Sequence, residues 1–223
     1  MDFPEARKFL LASYHDLPNI LFVGSLVLGL VSGYLPLLWA SAGMALNWVV
    51  TIGFQMIAAL VGQYKPGLVS KEVSRSCSVS FPIELNGAKL VPPKDQIVVP
   101  SLWVSTCAFF SIFTIYNSIR VTMRKPKEGA DEKLVSTRRA FSISTFIVGI
   151  VFLLLIFARL FTQCETMLGG GLGILVGAGV AIGFWHLVDC SGSGKIPDLL
   201  QVVGSMAPDR AATETPLMCV PPK

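Results

Sequence analysis

The sequence predicts an all-α integral membrane protein with four to five transmembrane helices and a small extramembrane β-hairpin. The chain of 223 residues is 52% hydrophobic and only 14% charged, whereas soluble domains are about 25% charged. Long runs carry no charge, among them the run between Glu165 and Asp189, and about 20 apolar residues suffice to cross a bilayer. The low charge therefore indicates membrane spans rather than one large soluble core.

Residues 1–64 are predicted to form an amphipathic N-terminal lead followed by a pair of transmembrane helices. Asp, Glu, Lys, Arg and His are all absent from 19–64, and this run is too long for one span at about 1.5 Å per residue. We expect helices at 20–38 and 42–62, joined by a turn near 39–43. One long tilted or re-entrant segment is the alternative.

A proline and a pair of glycines are informative in the first of these helices. Pro36 is expected to kink or end it. Gly29 and Gly33 are spaced as GxxxG, a pattern typical of close helix packing in membranes.

Residues 65–96 are predicted to form an extramembrane loop that carries the β-hairpin. Apolar side chains alternate along its first strand, and the Asn86-Gly87 pair is a strong signal for a hairpin turn. Pro82 would place this strand at an edge. The alternating apolar residues are Cys77, Val79, Phe81, Ile83 and Leu85.

Residues 97–190 are predicted to hold three further helices, at 97–119, 140–158 and 166–190. The loop 120–139 carries seven of the eighteen Lys and Arg residues, so the positive-inside rule places it in the cytoplasm. Its basic residues next to the membrane could contact anionic headgroups. These headgroup-facing residues are Arg120, Arg124, Lys125 and Lys127.

The last predicted helix is unusually rich in glycine, although each glycine costs about 1 kcal/mol relative to alanine in a helix. We expect one face, with Gly169, Gly173 and Gly177, and another, with Gly179 and Gly183, to pack closely against other helices. After this helix, residues 191–223 are predicted to form a C-terminal tail.

The cytoplasmic assignment of 120–139 places Cys77 and Cys164 together on the opposite side of the membrane. They could form a disulfide if that side is oxidising. With five spans the N-terminus would also lie on that side, whereas with four it would be cytoplasmic. Chain length favours five spans, and the Lys and Arg count favours four.

No motif in the sequence indicates catalysis, a metal site or a cofactor. His186 and Asp189 could act as a proton relay, but a polar pair at a helix end is the more common role for such residues. Only two histidines occur in the chain, which argues against His-based metal sites and catalysis. The net charge of +4 is modest and does not indicate nucleic-acid binding.

The stretch GFWHLVDCSGSGKIPDLLQVVGSM follows the glycine-rich run. Over 166–206 the chain resembles small multi-span membrane and minor capsid proteins of large icosahedral double-stranded DNA viruses of the chlorovirus and phycodnavirus kind. In those proteins a glycine-rich span precedes a small-residue linker and a short Asp-hydrophobic-hydrophobic segment, which here would be Asp198, Leu199 and Leu200. Gln201 departs from the glycine expected next.

The resemblance implies a structural protein of the virion internal membrane, itself derived from a host membrane, that links the bilayer to the capsid shell. Its partners would be the lipid bilayer and other membrane or capsid proteins, including further copies of itself, with no small-molecule substrate. Two alternatives remain open. One is a small channel or transporter lined by Ser, Thr and Gly from the third and fifth spans, and the other is a membrane-embedded lipid enzyme that uses His186 and Asp189.

Overall fold

The computed structural model describes residues 12–62, 70–72, 96–123, 132–161 and 164–190, and most of these residues are helical. Two short strands pair in antiparallel fashion, with Ser70 opposite Val98. In chain order the elements are α1 (Leu17–Ser32), α2 (Leu35–Gly62), β1 (Ser70–Glu72), β2 (Gln96–Val98), α3 (Leu102–Met123), α4 (Glu132–Phe161) and α5 (Met167–Cys190).

Four of the helices are long and apolar enough to cross a membrane, which agrees with the predicted class of helical membrane protein. The candidate spans are Leu35–Leu60, Leu102–Met123, Val135–Phe161 and Met167–Cys190. Helix α1 is apolar but has only 16 residues, about 24 Å at 1.5 Å per residue. It is therefore shorter than the roughly 30 Å hydrocarbon core of a bilayer.

The turn between α1 and α2 comes earlier than the sequence predicts. Gly33 adopts a left-handed conformation with a φ of 64°, which glycine tolerates without steric cost and which commonly ends a helix. Pro36 then lies in the first turn of α2, where a missing N–H breaks no helical hydrogen bond. The predictions that Pro36 ends the first helix and that 39–43 forms the turn are therefore wrong.

Helices α3 and α4 also differ in extent from the predicted spans. Strand β2 and a cis peptide bond between Val99 and Pro100 precede α3, so this helix begins later than position 97. The basic segment 120–139 is helical at both ends, over 120–123 and 132–139, because Arg, Lys, Glu and Leu favour helices.

The predicted hairpin strand and its turn, residues 77–87, lie outside the described residues. The two strands that the structure describes pair at the base of this loop, at Ser70–Glu72 and Gln96–Val98. The described residues thus support the helical part of the predicted fold and give no support to the hairpin.

Helix α3 is at the centre of the bundle and packs most extensively against α5 and α4. Its buried aromatic residues Phe109 and Phe113 form a core with Phe184 and Trp185 of α5. Large apolar side chains on the outer surfaces are exposed, as Val31, Leu154 and Leu175 illustrate. Such surfaces suit a protein whose surroundings are lipid chains.

Candidate functional site

A cluster of buried and half-buried charged and aromatic side chains lies at the end of the bundle where α3 begins and α4 ends. It joins the helical residues 12–15, the start of α3, the last turns of α4 and the link into α5. Charged residues near membrane depth are costly and are by default candidates for a functional site. We call this group the Arg159 cluster; its members are Tyr14, His15, Trp103, Arg159 and Glu165.

An ion pair is at the centre of the cluster. Nε of Arg159 donates a hydrogen bond to Oε1 of Glu165 over 3.1 Å, and the two side chains are only 1% and 7% exposed. Arg159 lies in the last turn of α4, whereas Glu165 lies in the link to α5. The short link between α4 and α5 therefore brings the carboxylate of Glu165 next to Arg159, six positions earlier in the chain.

The guanidinium group of Arg159 has two further neighbours. Its central carbon lies 4.5 Å from the centroid of the Trp103 ring, a favourable cation–π distance. Its Nη1 lies 3.3 Å from Nδ1 of His15. Because arginine only donates hydrogen bonds, Nδ1 must accept, so His15 is neutral and carries its proton on Nε2.

The residues before α1 are held in the cluster by two more hydrogen bonds. The indole N–H of Trp103 donates to the backbone carbonyl of His15 over 3.1 Å. The hydroxyl of Tyr14 donates to the backbone carbonyl of Leu155 in α4 over 3.0 Å. Residues 12–15 are therefore fastened to both α3 and α4 at this end.

The environment shifts the titration of the cluster members outside the spans. Burial raises the pKa of Glu165, although the charge of Arg159 and hydrogen bonds from Ser101 and Arg159 oppose this rise. Burial and then the charge of Arg159 lower the pKa of His15. Burial also raises the pKa of Tyr14.

The contacts within the Arg159 cluster are of the kind that fastens chain segments together. The arginine, carboxylate, indole and phenol groups all interact with one another or with nearby backbone. Within the described ranges, no group of three or more His, Cys, Asp or Glu residues could hold a metal ion.

The glycines predicted to pack along α5 divide into two sets. A Cβ on Gly173 would lie 3.0 Å from the backbone oxygen of Ser101, and a Cβ on Gly177 would overlap the backbone oxygen of Ser105. The carbonyl of Gly169 accepts a hydrogen bond from the N–H of Ser101 over 3.0 Å. This face of α5 therefore lies directly against the backbone of α3.

The second set of glycines has a different environment. No heavy atom of a neighbouring element lies within 4 Å of a Cβ built on Gly179 or Gly183 among the described residues. In the α1–α2 pair, a Cβ on Gly29 would lie 2.7 Å from Cδ2 of Leu38. Gly33 provides the turn between these helices rather than a packing face.

Of the basic residues predicted to face headgroups, only Arg120 lies in the described part of the chain; Arg124, Lys125 and Lys127 lie outside it. Arg120 is exposed, and its guanidinium carbon lies 5.7 Å and 5.1 Å from the ring centroids of Tyr116 and Trp185.

The candidate relay residues His186 and Asp189 are both exposed. Nε2 of His186 lies 3.0 Å from the hydroxyl of Tyr116 in α3. This contact gives His186 a role at the α3–α5 interface that the spacing in the sequence did not indicate.

Cys164 is disulfide-bonded, and its partner lies outside the described residues. Cys77 is also outside them, so its pairing with Cys164 stays a prediction. Cys107 and Cys190 are free thiols.

Hydrogen bonds between α2 and α3 form a second polar feature. The indole N–H of Trp48 donates to Oγ1 of Thr106 over 2.8 Å. The hydroxyl of Ser105 lies 2.9 Å from that of Thr51 and donates to Oδ1 of Asn47 over 3.1 Å. Hydroxyls of α3 also bond back to their own helix, as Thr106 does to the carbonyl of Leu102.

The sequence does not indicate the Arg159 cluster, because Arg159 and Glu165 both fall between the predicted helices 140–158 and 166–190. The useful signal was an arginine directly after a long apolar run, with a carboxylate six positions later. The contribution of residues 14 and 15 had no comparable signal, since they are more than 80 positions away from Trp103 in the chain.

Comparisons with known protein families, with curated proteins and with solved structures find no match to this chain.

Proposed function

We propose that the protein is a structural integral membrane protein, and more specifically a virion inner-membrane or minor capsid protein that links the bilayer to the capsid shell. The observation that carries the structural role is the use of buried polar side chains to fasten one chain segment to another. The virion assignment rests on the resemblance over residues 166–206 alone.

Contacts at three levels of the bundle support a rigid scaffold. The Arg159 cluster joins four segments at one end. A hydrogen bond between Trp48 and Thr106 joins α2 to α3, and one between Trp185 and Asn117 joins α5 to α3 at the opposite end of the bundle. Close contact of Gly173 and Gly177 with α3 leaves little room for relative movement of α3 and α5. Rigidity of this kind suits an anchor that must transmit position from a bilayer to a protein shell.

The proposal is tested by crosslinking mass spectrometry on purified particles. We expect the protein in the membrane-containing fraction after external proteins are stripped, with crosslinks from its loop 65–96 or its tail 191–223 to shell proteins. A protein absent from purified particles, and found only in cell membranes not associated with them, would contradict the virion role.

The same packing argues against a channel between α3 and α5. A pore there would need space between the helices, but Gly177 brings α5 against the backbone of Ser105. We expect protein reconstituted in liposomes to give no ion flux above empty liposomes. Flux that is abolished by Gly177→Leu would favour the channel instead.

A lipid enzyme based on His186 and Asp189 is the remaining alternative. The contact between His186 and the hydroxyl of Tyr116 is equally compatible with a role in packing. Under the structural proposal, His186→Ala leaves particle association unchanged. A hydrolysed or transferred lipid that requires His186 would overturn it.

A further inference from the structure

A second cluster lies at the opposite end of the bundle from the Arg159 cluster, near the ends of α3 and α5. We call it the Arg120 cluster; its members are Tyr116, Asn117, Arg120, Trp185 and His186. The rings of Tyr116 and Trp185 meet edge to face at 5.0 Å. Arg120 lies over both of them.

Each member of the Arg120 cluster is held in place by another. The indole N–H of Trp185, which is only 1% exposed, donates to Oδ1 of the buried Asn117 over 3.1 Å. The hydroxyl of Tyr116 is 3.0 Å from Nε2 of His186. Both rings that contact Arg120 are therefore fixed, so the guanidinium group has a prepared platform.

The side chain of Arg120 stays exposed beside these two rings. A cation–π contact uses none of the five N–H donors of a guanidinium for a conventional hydrogen bond. The side chain is exposed, and within the described ranges no carboxylate lies within ion-pair distance of it. An exposed guanidinium matches the geometry of a phosphate group, which it can bind through two parallel hydrogen bonds.

The surroundings of Arg120 indicate that such a phosphate would belong to a phospholipid. Arg120 is in the last turn of α3, close to the level of a membrane interface, where Trp and Tyr side chains are also favoured. Large apolar side chains close by in the chain face outward: Met123, three positions after Arg120, is 72% exposed, and Leu187, two positions after Trp185, is 63% exposed. A phospholipid presents the same combination, with a phosphate at the interface and acyl chains alongside apolar surface.

We propose that the Arg120 cluster is a binding site for the phosphate of an anionic phospholipid. The guanidinium edge of Arg120 binds the phosphate oxygens, Tyr116 and Trp185 orient the guanidinium, and the adjacent apolar surface contacts the acyl chains. This inference rests on the membrane embedding in the proposed function and not on the virion role.

The test uses the full-length protein in mixed detergent micelles with phosphatidic acid or phosphatidylcholine, and native mass spectrometry to measure bound lipid. The wild-type protein should retain phosphatidic acid in preference to phosphatidylcholine. The Arg120→Gln variant should weaken phosphatidic acid binding about five- to tenfold, as expected for losing one basic contact and its stacking.

Arg139→Gln is the matched control, because Arg139 is an exposed arginine near the same end of the bundle on α4. It removes the same charge and should change the affinity by no more than about twofold. The Arg120→Lys variant keeps the charge but loses the planar fork, so its affinity should lie between those of the wild type and Arg120→Gln. Circular dichroism confirms that each variant is folded.

Equal loss of phosphatidic acid in Arg120→Gln and Arg139→Gln would overturn the proposal, because binding would then follow bulk charge. A separate arm adds soluble glycerol phosphate to the lipid-bound protein. Displacement of the lipid by glycerol phosphate at equal concentration would overturn the lipid assignment, since the acyl chains would then contribute nothing. Retention of the bound lipid in the presence of glycerol phosphate would support the lipid assignment. Particle association can succeed or fail independently of either result.

Discussion

Two arginines lie at opposite ends of the bundle, and each lies over a tryptophan ring, but only one is buried with a carboxylate. Arg159 is 1% exposed, lies over Trp103 and pairs with Glu165. Arg120 is exposed and lies over Trp185. The same kind of cation–π contact therefore accompanies a buried ion pair at one end of the bundle and an exposed positive charge at the other.

The energetic consequences of the two arrangements should differ. A buried charge depends on its partner, because water no longer solvates it, and removing one partner leaves the other uncompensated. An exposed arginine keeps its hydration whether or not its neighbours are present. The stability of the bundle should therefore depend strongly on the Arg159 cluster and weakly on Arg120.

The largest expected effect comes from Glu165→Ala. It leaves Arg159 buried without its carboxylate and should lower the free energy of unfolding by about 3 to 5 kcal/mol. Unfolding in mild detergent micelles with increasing SDS measures this change. The double variant Arg159→Met with Glu165→Ala should recover much of the loss, since no buried charge then remains. A loss below about 1 kcal/mol in the single variant would contradict the buried ion pair.

The next largest effect is expected in the middle of the bundle, where α5 packs closely against α3. Gly177→Leu forces a side chain into the backbone of α3 and should cost about 1 to 3 kcal/mol or more. Gly179→Leu is the matched control, because it points into open space and gains up to about 1 kcal/mol of helix propensity. Thermal unfolding in the same micelles compares the two, and equal stability of both variants would contradict close packing at Gly177.

Acidification should weaken the Arg159 cluster through His15. Its pKa in the folded protein lies below the ordinary value of 6.5, so the unfolded chain binds the proton more readily. The stabilising contribution is thus complete above pH 6.5 and is lost as the pH falls from there to the folded pKa. Protonation makes Nδ1 a donor facing another donor, and losing that hydrogen bond should cost about 0.5 to 1.5 kcal/mol.

His15→Asn isolates this effect, because an asparagine oxygen can accept from Arg159 without titrating. Burial also raises the pKa of Glu165, so that carboxyl contributes a pH dependence of its own. Both proteins contain Glu165, and the difference between their pH profiles therefore reports His15. Parallel profiles between pH 7 and pH 5 would show that His15 does not titrate against Arg159.

The smallest expected effect is that of Arg120→Ala on stability. Its cation–π contacts are exposed and should contribute about 0.5 to 1 kcal/mol, which SDS unfolding can measure against Glu165→Ala. A loss as large as that of Glu165→Ala would mean that the two ends are energetically alike. The comparison between them would then be wrong.

Helix α5 could be predicted from the sequence more accurately than the end of α4. The charge-free run before Asp189 correctly indicated α5 (Met167–Cys190), because the span signal depends only on composition and length. Its boundary with α4 was harder to predict, since Arg159 belongs to the last turn of a helix that extends to Phe161. A charged residue after an apolar run can belong either to the helix or to the following loop, and the sequence does not distinguish the two until the partner of the charge is known.

The turn at Gly33 was mislocated for a related reason. Glycine and proline residues both break helices, but their effect depends on which end of a helix they occupy. Pro36 is tolerated in the first turn of α2, and this left Gly33 to end α1. The local sequence marked both residues as helix breakers, but it did not show that Gly33 ends α1 and that Pro36 lies in the first turn of α2.

The sequence by itself determined that apolar helices dominate this protein, because membrane spans need only a long run of apolar residues. Tertiary structure decided which polar groups meet inside the bundle. His15 and Arg159 are 144 positions apart, and Arg120 meets Trp185 from a different helix. Such contacts depend on how the helices pack and on where each helix ends. Neither property is contained in the hydropathy of any single segment.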